Sequence, residues 1–255
     1  MDLTVISSLF IFQFMLVFFR VAAAFMVFPG ISDLAVNRKA RLLMAFTVSL
    51  AMFPILESYM PALPTATSQL LMYVFIEIFL GVSLAIGARI FMSAASVAGE
   101  VIGFTAGFQT ATLFDPSTGS NTSAPGLFLL ITATVLVFAS NLHHLLIEGI
   151  IDSYSVFPAG TLPNLGETSQ AVIKSVANMF MFGIKIAAPI MAIGFIIYVG
   201  FGIFNRLIPQ LQVFFVALPI TIAVGILVLS ISVTGMLTLF IEEMADKAII
   251  FAKEE

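Results

Sequence analysis

Long runs of apolar residues, separated by short polar segments, dominate this chain. About 20 apolar residues in a helix are needed to span a bilayer, and six runs approach or exceed that length, at roughly 5–28, 40–57, 70–98, 127–151, 176–204 and 211–241. The runs are uneven, because the second is uncharged only over 42–56 and contains Pro54, whereas the sixth is uncharged throughout and contains Pro219. Such lengths predict helices that are tilted, broken or partly enclosed by protein.

Turn-forming segments rich in Gly, Pro, Ser and Asn separate the later runs. The strongest of them, 115–126, follows an apolar continuation over 101–114. A second loop covers 152–174, and a short one at 205–210 joins the last two runs. The sequence therefore predicts an all-α membrane protein of long, partly broken helices that ends in a helical hairpin over 176–241.

Basic residues suggest an orientation in the membrane. The densest cluster lies at 38–41, in the loop after the first run, and the positive-inside rule places that loop in the cytoplasm. Arg206 falls on the same side if six spans alternate, which predicts that both termini lie outside the cytoplasm. The N terminus lacks the positive n-region and the small-residue cleavage site of a secretory signal, so we expect the run at 5–28 to be retained.

The composition agrees with a lipid or protein environment on all sides. Hydrophobic residues make up 60% of the chain and charged residues 9%, whereas soluble domains carry about 25% charged residues. The chain contains 27 Phe, 13 Met and no Cys, which excludes disulfides and thiolate metal sites. A net charge of -4 argues against a nucleic-acid partner, since phosphate binding needs clustered Lys and Arg.

Seven ionisable side chains lie within the apolar runs: Arg20, Glu77, Arg89, His143, His144, Glu148 and Lys185. A charge at the centre of a span costs about 2.5–3.5 kcal/mol, so these groups predict either an ion path or pairing between helices and at subunit contacts; we favour pairing. Glu77 and Arg89 lie about 18 Å apart along one helix, so each needs a partner on another helix. His144 and Glu148 favour a local hydrogen-bonded pair over a metal site, because zinc requires three or four ligands.

Small residues recur at every fourth position in one stretch: Ala95, Gly99, Gly103 and Gly107. This spacing predicts a smooth groove that lets another helix, or the axis of a pore, approach the backbone closely. The groove leads into the loop at 115–126. No phosphate-binding loop, nucleophile elbow or pair of catalytic carboxylates is present, so the sequence predicts neither an enzyme nor a cofactor.

Several blocks carry a family resemblance: Phe19-Arg-Val21, Phe28-Pro-Gly30, Gly99-Glu-Val-Ile-Gly103, Phe114-Asp-Pro116, Asn141-Leu-His-His144, Ser153-Tyr-Ser-Val-Phe-Pro158 and Arg206-Leu-Ile-Pro-Gln-Leu-Gln-Val-Phe214. Together and in this order they resemble the FliR family of flagellar type III export-gate subunits, from the first helix to the last. The resemblance implies a subunit of the bacterial inner membrane and flagellar basal body, assembled with FliP-like, FliQ-like and FlhB-like subunits into a helical shell. Its pore would pass unfolded flagellar proteins.

The resemblance also implies an internal division and two sites. Residues 1–185 would be FliP-like, and 186–255 would form a FliQ-like hairpin with a C-terminal tail. The loop at 108–123 would act as a pore plug, with Phe108, Gln109, Leu113, Phe114, Asp115 and Pro116 as its key residues. A second group, Arg206, Pro209 and Gln210, would contact the FlhB-like subunit.

Two other functions fit the pattern. One is a secondary transporter of a small solute that uses Glu77, Arg89, His144 and Lys185. Transporters of that kind often carry internal repeats, and the two halves of this chain are not visibly alike. The other is a structural scaffold, which would differ from an export gate only in lacking a loop that faces a pore.

Overall fold

The apolar runs form helices. The computed structural model describes residues 3–32, 36–109, 122–208 and 213–251, with side chains at 7–32, 36–109, 122–208 and 217–246. The regular elements in these ranges are α1 (Leu3–Val27), α2 (Arg38–Leu56), a 3₁₀ turn (Glu57–Tyr59), α3 (Thr67–Thr105), α4 (Ala124–Ala139), α5 (Leu142–Val156), α6 (Leu165–Leu207) and α7 (Val213–Phe251). The predicted all-α membrane class is confirmed.

Within the described ranges, five helical segments are long and apolar enough to cross a membrane: Ser7–Val27, Arg38–Tyr59, Thr67–Thr105, Leu165–Leu207 and Ala217–Asp246. The helices α3 and α6 contain 39 and 43 residues, which makes each about 60 Å long at 1.5 Å per residue. A bilayer core is about 30 Å thick, so these two helices are far longer than a simple span. The orientation predicted from basic residues stays a prediction, because helix length does not give direction.

The fourth apolar run is broken. The helices α4 and α5 divide it and meet at an angle of 73°. Asn141 sits at the bend with φ 60, a left-handed conformation that Asn tolerates better than most side chains. The run at 127–151 is therefore a broken helix, and the pair counts as a sixth candidate span if it crosses the membrane as one unit. The prolines at 54, 189 and 219, by contrast, lie inside continuous helices.

The chain divides into two compact units. Unit 1 contains 1–91, 138–175 and 245–255, and unit 2 contains 92–137 and 176–244. In unit 1, α1 and α2 pack antiparallel through aromatic side chains. The ring of Phe10 lies 4.8 Å from that of Phe53, and the ring of Phe14 lies 5.4 Å from that of Phe46. Leu16, Val21 and other α1 residues form the buried core beneath them.

Unit 2 contains the C-terminal part of α3, most of α4, and the facing parts of α6 and α7. The rings of Phe182 on α6 and Phe240 on α7 stack 6.5 Å apart, and Gly194 and Gly225 line one small cavity farther along the same pair. Residue numbers therefore rise along α6 as they fall along α7. The predicted C-terminal helical hairpin is confirmed, whereas the division at 185, which concerns likeness to partner proteins, stays a prediction.

Candidate functional site

The helix α3 ends at a glycine. Gly107 has φ +78, a left-handed conformation that only glycine adopts without steric cost. The amide of Phe108 donates to the carbonyl oxygen of Gly103 at 2.8 Å, and the amide of Gly107 donates to that of Phe104 at 3.2 Å. These two bonds satisfy carbonyl groups at the helix end. The glycine at 107 therefore determines where α3 ends.

The helix α4 begins at a serine that also binds α3. The Ser123 hydroxyl accepts a hydrogen bond from the Gly126 amide at 3.2 Å, which caps α4, and donates one to the Gly99 carbonyl oxygen at 3.1 Å. Serine is among the most favourable residues at this position of a helix. One side chain therefore both starts α4 and attaches it to α3.

A carboxylate on α3 joins the two ends of the intervening segment. Glu100 Oε1 accepts from the Ser123 amide at 2.8 Å, and Oε2 accepts from Gln109 Nε2 at 3.1 Å. Glu100 is half-buried, and no Lys or Arg of the described residues forms an ion pair with it. Sequence reasoning passed over its charge, although it is the one charged residue between Arg89 and Asp115.

The predicted groove of small residues holds α4 of the same chain. A Cβ added to Gly103 would lie 2.6 Å from the side chain of Ser123, and one added to Gly99 would collide with the backbone of Gly126. Ala95 is buried and lines a small cavity with Leu129 of α4. The groove is thus used for close packing inside the chain, before any partner subunit is considered.

Of the six residues assigned to the pore plug, two are described. Phe108 and Gln109 are half-buried beside the end of α3. The others, Leu113, Phe114, Asp115 and Pro116, lie outside the described residues. Of the residues assigned to contact with an FlhB-like subunit, Arg206 is exposed in the last turn of α6, and Pro209 and Gln210 lie outside the described residues.

A buried ion pair connects α1 and α3 in unit 1. Arg20 Nε donates to Glu77 Oε2 at 2.6 Å and Arg20 Nη2 donates to Oε1 at 3.2 Å, with both side chains 0% exposed. Arg20 also donates to the Ser153 hydroxyl and the Phe157 carbonyl oxygen, each at 3.0 Å. Its guanidinium lies 3.6 Å from the centre of the Tyr154 ring. The partner that Glu77 requires is therefore supplied by this chain and not by a neighbouring subunit.

A backbone amide also donates a hydrogen bond to the Glu77 carboxylate. The Gly160 amide donates to Oε1 at 2.9 Å, so the loop after α5 is attached to α3. Gly160 has φ +80, and a Cβ there would lie 2.7 Å from the ring of Tyr73. The site needs glycine for both its conformation and its close approach.

The other predicted buried groups lie nearer the surface of the isolated chain. Arg89 is exposed and its Nη1 donates to the Ser32 hydroxyl at 3.0 Å and, more weakly, to the Val27 carbonyl oxygen at 3.4 Å. Val27 is the last residue of α1, where the helix dipole favours a cation. Lys185 is exposed on α6, so a partner subunit remains able to cover it.

The pair expected from His144 and Glu148 does not form. Both side chains are exposed and no hydrogen bond or ion pair joins them. Instead, the rings of His143 and His144 lie 4.1 Å apart, and His143 stacks on Phe138 at 5.1 Å. Across the described part of the chain, no three His, Asp or Glu side chains come together in a way that could hold a metal ion.

Comparison with known proteins gives a consistent result. The sequence profile of "Bacterial export proteins, family 1" matches residues 11–246. The chain is 30% identical over 236 residues to the flagellar biosynthetic protein FliR of Caulobacter vibrioides, covering 92% of this chain and 94% of that protein. It is 32% identical over 219 residues to FliR of Bacillus subtilis, covering 85% and 84%. With FliR of Escherichia coli the identity is 27% over 207 residues, covering 81% and 78%.

Proposed function

The chain belongs to the bacterial export proteins of family 1, together with the flagellar FliR proteins, and on that premise we propose that it is a membrane subunit of the flagellar export gate. The observation that carries the proposal is the family match over almost the whole length of a chain built from membrane-length helices. Its role is structural, as a part of the path through which unfolded flagellar proteins leave the cell, and not that of an enzyme.

The exposed apolar surface supports assembly with other membrane subunits. On α6, Met181 is 71% exposed, Phe195 70% and Ile196 68%, and such contiguous apolar faces require lipid or protein to cover them. We assign this cover to FliP-like and FliQ-like subunits in the inner membrane at the flagellar basal body. Arg206, at the end of α6, begins the segment with Pro209 and Gln210 that we assign to contact with an FlhB-like subunit.

The transporter alternative receives no support from the geometry. Glu77 is neutralised by Arg20, and Arg89 lies about 18 Å from Glu77 along α3. His144 and Lys185 are exposed. A coupled transporter needs such groups to converge on one substrate site.

The loop at 108–123 is the proposed plug of the pore. Gln109, near its start, and Ser123, at its end, both bind one carboxylate on α3. The two ends of the loop therefore lie close together. Bulky apolar side chains within it would exclude water and thereby block ions, and its Ser, Thr, Gly and Asn residues would let a passing polypeptide displace it. If the subunit were only a structural scaffold, neither ion leak nor secretion would depend on this loop.

Deletion of residues 109–122 tests the plug. We expect cells carrying the deletion to leak ions while the subunit still assembles, because the seal is lost but the helices remain. Membrane conductance, secretion of flagellar protein and the amount of assembled complex should be measured together. Unchanged leak and unchanged secretion, at a normal amount of complex, would contradict the proposal.

A further inference from the structure

Glu100 is an anionic group in a membrane-length helix that lacks a cationic partner among the described residues. Glu100 is half-buried near the C-terminal end of α3, so its carboxylate oxygens need hydrogen-bond donors, because a buried charge without partners is costly. The two donors come from the two ends of one segment: the Gln109 side chain before it and the Ser123 amide after it. Bonds of this kind, with one ionised partner, are stronger than neutral ones.

The adjoining helix ends do not need Glu100 for their own stability. The end of α3 is closed by the bonds at Gly107 and Phe108, and the start of α4 is capped by the Ser123 hydroxyl. The carboxylate adds a different constraint, since its two oxygens hold 109 and 123 at the same point on α3. Its effect therefore falls on the connection between the helices.

We propose that Glu100 is a positioning residue, which acts as a two-armed hydrogen-bond acceptor and fixes where the segment between Gln109 and Ser123 begins and ends. The inference rests on the proposed function insofar as that segment is the pore loop. It assigns to a residue of α3, outside the loop, the task of holding both ends of the loop together.

Two substitutions separate this role from a requirement for charge or bulk. In Glu100→Gln, the amide oxygen still accepts from the Ser123 amide, and the amide nitrogen donates to Gln109 once the Gln109 amide group rotates. In Glu100→Leu, the bulk and the helix propensity are kept but both bonds are lost. If Glu100 acts through hydrogen bonds, the two loop ends should stay close together in Glu100→Gln and separate in Glu100→Leu.

The test measures the separation of the two ends in the assembled export complex extracted from membranes. The chain contains no Cys, so cysteines introduced at Phe108 and Thr122 carry its only spin labels, in a complex whose other subunits have any cysteines replaced. Continuous-wave and pulsed electron paramagnetic resonance together give the distance distribution of the two labels. With Glu100 present we expect a narrow distribution. In Glu100→Leu, the ratio of short to long distances should fall by about tenfold or more, because both bonds are lost and each charge-assisted bond alone corresponds to about that factor. In Glu100→Gln the ratio should recover.

The matched control is Glu242→Leu, which removes an exposed carboxylate from α7 of the same unit and should leave the distribution narrow. An unchanged distribution in Glu100→Leu would overturn the inference, and so would equal broadening in Glu100→Gln. The distance measurement does not depend on whether the segment seals a pore. The ion leak of the 109–122 deletion tests that function, so failure of one proposal is distinguishable from failure of the other.

Discussion

At the scale of the residue, the ion pair of Arg20 and Glu77 is sensitive to substitution because it is buried in unit 1. Both side chains are fully buried, and their hydrogen bonds connect α1, α3, α5 and the loop at Gly160. Desolvation of two charges offsets much of their mutual attraction, so such a pair contributes little net stability while complete. Removal of one partner, however, leaves a buried charge without compensation.

We therefore expect Arg20→Met to be strongly destabilising, by about 3–5 kcal/mol. The double variant Arg20→Met with Glu77→Leu should regain a large part of that loss, because no charge remains buried. For the single and the double variant, we would measure the amount of folded subunit in membranes and its thermal stability in detergent. Arg89→Met, which alters an exposed cation, serves as the control and should have a smaller effect. A double variant as unstable as the single one would contradict this account.

At the scale of the element, the helices of unit 2 approach each other at positions that lack side chains. Gly99 and Gly103 lie against the start of α4, and Gly183 lies against Val97 and Ala94 of α3. Close approach of helix backbones through small residues is a common packing device in membranes, where helix association has no hydrophobic driving force. At these positions α4 and α6 can approach the backbone of α3 closely.

Gly99→Ala should destabilise the subunit by about 1–3 kcal/mol through overpacking, because the new methyl group would collide with the backbone at Gly126. Gly235→Ala is the matched control. It adds the same methyl group to α7 where nothing lies within 4 Å, and alanine favours a helix by about 1 kcal/mol over glycine. Thermal unfolding of the detergent-extracted complex compares the two variants. Equal unfolding temperatures would show that the contact at Gly126 is not restrictive.

At the scale of the whole molecule, the chain leaves apolar and charged groups on the same exposed face. Lys185 lies on α6 one turn after Met181, and both are exposed. An ammonium facing lipid near the middle of a long apolar helix is unfavourable, so a subunit that covers this face should present a carboxylate to it. On the proposed assembly, Lys185 therefore marks a position where a partner subunit contributes an acidic group.

Photocrosslinking in the assembled complex tests this requirement and the proposed partner contacts. A photoreactive residue at Met181 should give products with a FliP-like or FliQ-like subunit, and one at Gln210 should give products with an FlhB-like subunit. The control position is Ile190, which is 2% exposed within the chain and should give no intermolecular product. Products with lipid alone from Met181, or with FliP-like subunits alone from Gln210, would contradict the assignments.

The sequence by itself determined the class of this protein and its helices. Run length and the near absence of charge are local properties, and a bilayer accepts only elements that satisfy their own backbone hydrogen bonds. The apolar runs and the C-terminal hairpin could therefore be predicted. Recurrent small residues likewise indicated close packing, since Gly99 and Gly103 share one helix face.

Only the tertiary structure decided which groups meet. Arg20 and Glu77 are 57 residues apart, and no pattern along the chain joins them; sequence identified both as groups needing partners but left the partner open. The bend at Asn141 and the absence of a bond between His144 and Glu148 were likewise beyond local periodicity. The role of Glu100 also depends on the packing of α4 against α3. This packing sets the distance between the carboxylate and its two donors, and the sequence of either helix alone does not determine it.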